Sequence, residues 1–77
     1  MFSNDKVMRV LFINEKLKGG HLVNIGNLSN IFNVSKRTVQ RDIEDLKLYY
    51  SELAVAGETV YCVVYDRRNN GFKLSTY

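Results

Sequence analysis

Apolar positions along this chain change period several times, and each change predicts an element. Val39, Ile43, Leu46 and Tyr50 recur at helical spacing, the stripe of an α-helix with one side on a core. Ser35 precedes that stripe as a good N-cap, able to bond the amides of the first turn. An earlier helix is predicted from a cap at Asn4 or Asp5 to about Leu17. Val7, Val10, Leu11 and Leu17 form its expected inner face, widened by Met8, Phe12 and Ile13, and Gly19-Gly20 stop it. His21-Leu22-Val23 is long enough for a minimal strand. Asn24 then caps a second helix, Ile25 to Phe32, with Ile25, Leu28 and Phe32 inward. Asn33 falls where the chain must turn sharply, and Asn tolerates the left-handed conformation better than most residues. Val34 plugs that turn. The third helix is expected to end between Tyr50 and Ala54, with Gly57 as a natural stop. Val60 to Tyr65 is all β-branched, aromatic or apolar, which predicts a strand. Asp66 to Gly71 is turn chemistry, strongest at Asn70-Gly71, and Phe72 to Ser75 alternates as a returning strand. The expected fold is mainly α with a small β-hairpin: a three-helix winged helix-turn-helix.

Composition narrows the function. Seventy-seven residues, 45% of them apolar, can form one small core, so residues 1–77 are read as a single domain. The single Cys62 lies in a strand-like run and is expected to be an inert, buried thiol. His21 has no Cys or acidic partner at ligand spacing, so no metal site is assigned. One unpaired cysteine suits a reducing compartment. No apolar run approaches the roughly 20 residues that span a membrane, and Met-Phe-Ser-Asn-Asp-Lys lacks the features of a signal peptide. A cytoplasmic protein with no cofactor and no membrane contact is the expectation. Paired carboxylates, Cys/His or Ser/His arrangements and Gly-rich phosphate loops are all missing from the sequence, so no catalytic residue is assigned and an enzyme is disfavoured.

Charge enters through its placement. A net +3 is modest, but Lys36, Arg37 and Arg41 form one basic group and Arg67 and Arg68 another, each beside an expected turn. At about 100° per residue, Arg37 and Arg41 project almost opposite the buried stripe, with Gln40 on one flank and Thr38 on the other. Lys36 and Arg37 sit at the positive end of the helix dipole, and Arg37 and Arg41 repel each other at i, i+4. A helix that places cations there calls for an anion from elsewhere, which makes residues 36 to about 50 a candidate DNA-recognition helix. The alternative is a solvated amphipathic helix, with Asp45 able to pair with Arg41 at i, i+4 and Asp42 and Glu44 balancing the charge further along. Arg67 and Arg68 at the tip of a hairpin over residues 60 to 75 read as a wing, or else as an ordinary solvated turn.

VSKRTVQRDIEDL followed by VVYDRRNNGFKLS resembles the N-terminal winged helix-turn-helix of bacterial regulators of the DeoR type. Tyr65-Asp66-Arg67 with Gly71-Phe72 and Leu74 is similar to the wing of those that carry a WYL domain downstream, and Ser35, Thr38, Arg41 and Asp42 match the helix motif. The resemblance, from about Lys6 to Ser75, implies a bacterial or phage transcription regulator that binds double-stranded DNA. Three departures stand out: Asn33 where the family mostly has Gly, Ser29 where it mostly has Ala, and a longer stretch between Asp42 and Tyr65. The expected effector domain is missing after the wing, so the chain is either an excised domain or a stand-alone small protein.

In the DNA-binding reading, Arg37, Gln40 and Arg41 reach base edges, since Arg suits guanine and Gln suits adenine. Ser35 and Thr38, with the amides at the helix start, hold phosphate. Lys36 belongs to the same contact set, and Arg67 and Arg68 meet the backbone or minor groove. One such domain reads few base pairs, so a homodimer is expected, with a seam drawn from Leu48, Tyr49, Leu53 and Val55 and the surplus apolar residues of the first helix. The competing view is that the segment after Tyr50 folds back and buries these residues, Leu48 and Ile31 among them. The alternative function is a winged-helix protein-interaction module, a small inhibitor or adaptor without specific DNA binding.

Overall fold

The computed structural model describes residues 5–76 and contains three helices followed by an antiparallel hairpin. Helix α1 runs Lys6–Lys18, α2 Ile25–Phe32 and α3 Lys36–Val55, and strands β1 and β2 run Tyr61–Asp66 and Gly71–Thr76. This is the architecture expected from the periodicity, a winged helix-turn-helix.

The turn between α2 and α3 follows from its residues. Asn24 caps α2 by accepting from the Asn27 amide at 3.0 Å. Asn33 ends α2 in the left-handed conformation, φ 54° and ψ 49°, so Asn serves where the resemblance calls for Gly. Ser29, in place of Ala, is buried but satisfied, its hydroxyl donating to the Gly26 carbonyl at 3.1 Å. Ser35 then accepts from the Thr38 amide at 3.1 Å and starts α3.

The core joins all the elements: Ile13 and Leu17 from α1, Leu28 and Phe32 from α2, Val39, Ile43, Leu46 and Tyr50 from α3, and Val63 and Phe72 from the hairpin. Val23 exchanges two backbone hydrogen bonds with Phe72, at 2.8 and 2.9 Å, an isolated bridge at the hairpin edge in place of the minimal strand expected over His21-Leu22-Val23. Gly71 gives that edge room for a close approach. A Cβ there would lie 2.6 Å from Leu22 Cδ2 and 3.0 Å from the Val23 carbonyl oxygen.

Several expectations are corrected. The inner side of α1 is Arg9, Ile13 and Leu17, with Val10 and Phe12 packed against the core, while Val7 and Leu11 are exposed. Ile13 and Phe12 are therefore not surplus: Ile13 is fully buried, and Phe12 meets Phe32 edge-on at 5.3 Å. Asp5 holds the N-cap position of α1 without a side-chain capping bond, and Asn4 lies outside the described residues. Cys62 is half-buried. Helix α3 runs to Val55, one residue past the expected range, so the longer stretch is mostly helix. It ends where Gly57 turns left-handed, φ 76°, and the Glu58 amide reaches back to the Leu53 carbonyl at 2.8 Å. The segment after Tyr50 does not fold back over Leu48 and Ile31, which stay 60% and 52% exposed. No helix is long and apolar enough to cross a membrane among the described residues.

Candidate nucleic-acid interface

A buried ion pair sets the orientation of α3. Asp42 lies on the flank of the buried stripe, fully buried, and accepts from Arg9 Nε of α1 at 2.7 Å and from Lys6 Nζ at 2.9 Å. Burial pushes the Asp42 carboxyl up, but the hydrogen bonds from Arg9 and then Lys6 outweigh it and hold the group below the ordinary carboxylate range. Lys6 also pairs with Asp45 at 2.8 Å, and its two carboxylate hydrogen bonds, Asp45 first and Asp42 second, raise its own pKa. The Asp45–Arg41 pair of the alternative solvated-helix reading is not formed, because Asp45 is turned toward Lys6 of α1. Sequence reasoning passed over Arg9, although it lies four residues before Ile13 and eight before Leu17, on the stripe they form.

The outward side of α3 is left basic as a result. Asp42 and Asp45 are held by α1, and Glu44 accepts from Gln40 Nε2 at 3.2 Å and Lys47 Nζ at 3.3 Å. Among the described residues no ion pair engages Lys36, Arg37 or Arg41, and all three are exposed. Gln40 and Thr38 are half-buried on the flanks. The Ser35 and Thr38 hydroxyls lie 2.9 Å apart, and one donates to the other. Two hydroxyl protons serve one such bond, so one donor remains for an outside acceptor at the start of α3.

The hairpin brings its tip to the same end of the molecule. Its register pairs Asp66 with Gly71, leaving residues 67–70 as the loop. Asn70 carries the left-handed φ of 54°, whereas Gly71 is already in β2 and serves the close approach to Leu22. Asp66 organises the loop: its carboxylate accepts from the Arg68 and Asn69 amides at 3.0 and 3.3 Å and from Asn69 Nδ2 at 2.8 Å. The hydrogen bond from the Asn69 side chain, with smaller contributions from the Asn69 amide and Lys73, outweighs desolvation and lowers the Asp66 pKa. Asn24 Nδ2, at the α2 N-cap, donates to the Asn70 carbonyl at 2.9 Å, and Tyr65 OH bonds Asn70 Oδ1. Lys36, Asn24, Gly26, Tyr65 and Asn70 line one cleft, so the starts of α2 and α3 and the wing tip converge. Arg67 and Arg68 are exposed on that tip, without an ion pair among the described residues. Asp66, Asn24 and Glu44 had not been singled out for these roles. Turn chemistry around Asp66 and the Gln40–Glu44 spacing of i, i+4 were the available signals.

No group of His, Cys, Asp and Glu able to hold a metal ion occurs among the described residues. Comparison with curated proteins and with solved structures returns no match. The family described as "HTH domain" matches residues 9–73, from the buried Arg9 to the middle of β2. That span takes in the capped turn, α3 and the wing, and the chain belongs to this family of helix-turn-helix domains, a DNA-binding, non-enzymatic kind associated with transcription regulation.

Proposed function

We propose that this chain is a sequence-specific double-stranded DNA binder in transcriptional regulation. In this reading α3, from Lys36 to about Tyr50, enters the major groove, and the wing, from about Val60 to Ser75, lies on the backbone or in the minor groove. The observation that carries it is the exposed Arg37 and Arg41, without an ion pair among the described residues, on a helix whose nearby carboxylates are each engaged by another side chain. Arg37, Gln40 and Arg41 meet base edges, where Arg pairs with guanine and Gln with adenine. Ser35, Thr38 and Lys36 hold phosphate at the start of the helix, with Arg67 and Arg68 on the neighbouring backbone or minor groove.

Within the family, the helix motif of Ser35, Thr38, Arg41 and Asp42 and the wing motif of Tyr65-Asp66-Arg67, Gly71-Phe72 and Leu74 support a regulator of the DeoR type associated with a WYL domain. Residues 1–77 act as one DNA-binding domain, in the cytoplasm of a bacterium or in a phage-infected cell. The DNA-bound form is a homodimer. Selection from a random duplex library, read by sequencing, tests the reading. An enriched motif containing G·C and A·T positions that contact α3 supports it. No enrichment, together with a shallow salt dependence on random duplex, overturns it in favour of a protein-interaction module, for which the exposed Leu48 and Ile31 would be the contact residues.

A further inference from the structure

On the outward side of α3, Glu44 stands between the positions of Arg37, Gln40 and Arg41. Its rotation about the helix axis falls within about 20° of Arg37, taking 100° per residue over seven residues. A carboxylate there opposes phosphate binding, so its presence needs an explanation. Its contacts supply one. Glu44 Oε1 accepts from Gln40 Nε2 at 3.2 Å and from Lys47 Nζ at 3.3 Å. Lys47 in turn lies 5.2 Å from the centroid of the Phe72 ring, one residue pair from the wing loop.

An ionised carboxylate only accepts hydrogen bonds. Whichever way the Gln40 amide might otherwise turn, the side facing Glu44 must be its NH2. The carbonyl oxygen and the second N–H are then left for a ligand, and these are the acceptor and donor that match N6 and N7 of adenine. A free glutamine has no such preference, because its two ends exchange by a half-turn. We infer that Glu44 is a positioning residue: it fixes the Gln40 amide in the orientation that reads adenine, while Lys47 holds the carboxylate in place and offsets its charge. This rests on the DNA-binding reading and names one determinant of its specificity.

The test is the duplex selection repeated with Glu44→Ala, Glu44→Gln, Gln40→Ala and the Gln40→Ala/Glu44→Ala pair, with thermal unfolding as the folding control. Glu44 is exposed and outside the core, so the variants are expected to melt with wild type. In wild type, one adenine is expected to depend on Gln40. Glu44→Ala should reduce the preference for that base by roughly five- to a hundred-fold, the range of one good bidentate pair. Binding to random duplex should stay level or rise, because a negative charge is lost. Glu44→Gln keeps an oxygen that Lys47 can orient, but its amide can also turn its NH2 toward Gln40, so its preference should fall between those of wild type and Glu44→Ala. In the Gln40→Ala background, removal of Glu44 should change nothing further at that position.

An unchanged preference in Glu44→Ala overturns the inference while leaving the DNA-binding reading intact. So does a uniform change across all positions, which is what a pure charge effect would give. If wild type enriches no motif, the DNA-binding reading falls and this inference with it.

Discussion

Asp42 and Gly71 show how much depends on single residues in so small a core. Asp42 is fully buried, and removing it takes from the nearly buried Arg9 guanidinium its 2.7 Å hydrogen bond to a carboxylate. Desolvation makes such a loss expensive, and Asp42→Ala is expected to cost about 3–5 kcal/mol in urea denaturation. The pH dependence has a definite sign. In the unfolded chain the carboxyl titrates near its ordinary value of about 3.9, and in the fold the hydrogen bonds from Arg9 and Lys6, working against burial, hold it lower. Its stabilisation is therefore complete above about pH 4 and is lost as the pH falls through the lower folded value. Wild type should lose stability more steeply below that point than Asp42→Asn, and parallel acid-unfolding curves would refute this account. Gly71→Ala makes a second prediction at this scale. The new methyl meets Leu22 and the Val23 carbonyl, and a loss of about 1–3 kcal/mol is expected from overpacking. Neither residue's role was legible from local pattern. A charge on an apolar stripe reveals a buried pair only when its partner, 33 positions away, is placed beside it. Gly71 was read for turn conformation, but a contact with a loop 49 positions earlier (Leu22) decides it.

Elements were far more legible, because caps and periodicity are local properties. The whole of α2 and the start of α3 lie where Asn24, Asn33 and Ser35 place them. The end of α3 was harder, since Ala54 and Val55 fit a helix end or a loop equally well and the left-handed Gly57 closes the helix only after them. The outward side of α3 was legible as a basic surface, although the carboxylate pairing that leaves it basic was not. Arg37→Ala and Arg41→Ala are each expected to weaken cognate duplex binding by about 1–3 kcal/mol for a lost base contact. Thermal stability should hold or rise slightly, because the like-charged i, i+4 pair is relieved and neither arginine has an ion-pair partner to lose among the described residues. Binding isotherms equal to wild type for both variants would refute the assignment of α3 as the reader. The wing and helix caps should add to the salt response. With four to six neutralised phosphates, log affinity should fall with log salt at a slope of roughly −4 to −5, measured by titrating binding across salt concentrations.

At the scale of the whole molecule, the misplaced stripe of α1 becomes informative. Val7 and Leu11 recur at helical spacing, as a core stripe does, yet they stand 63% and 55% exposed. The rotation of α1 is set instead by Arg9, Ile13 and Leu17, because the ion pair to Asp42 must face α3. An apolar side is thereby left in solvent, and it borders a shallow groove lined by Val10, Leu11, Asn14, Asp45, Leu46 and Tyr49. Tyr49, one residue of the proposed dimer seam, is 49% exposed there. A single winged helix reads too few base pairs to select one site in a genome, and two-fold pairing lets two recognition helices meet successive major grooves. A homodimer seated through α1 and Tyr49 answers both observations, since a two-fold contact covers the same patch on each copy. On a selected operator the protein is expected to sediment as two chains per duplex, with inverted half-sites about 10 base pairs apart or a multiple of that. Leu11→Glu places a charge in the seam but not in the core. It should leave the fold intact by circular dichroism, convert the complex from two chains to one chain per duplex and weaken operator binding. A wild-type protein that stays monomeric at one-to-one stoichiometry refutes the dimer, and an unaffected Leu11→Glu dimer refutes this seam.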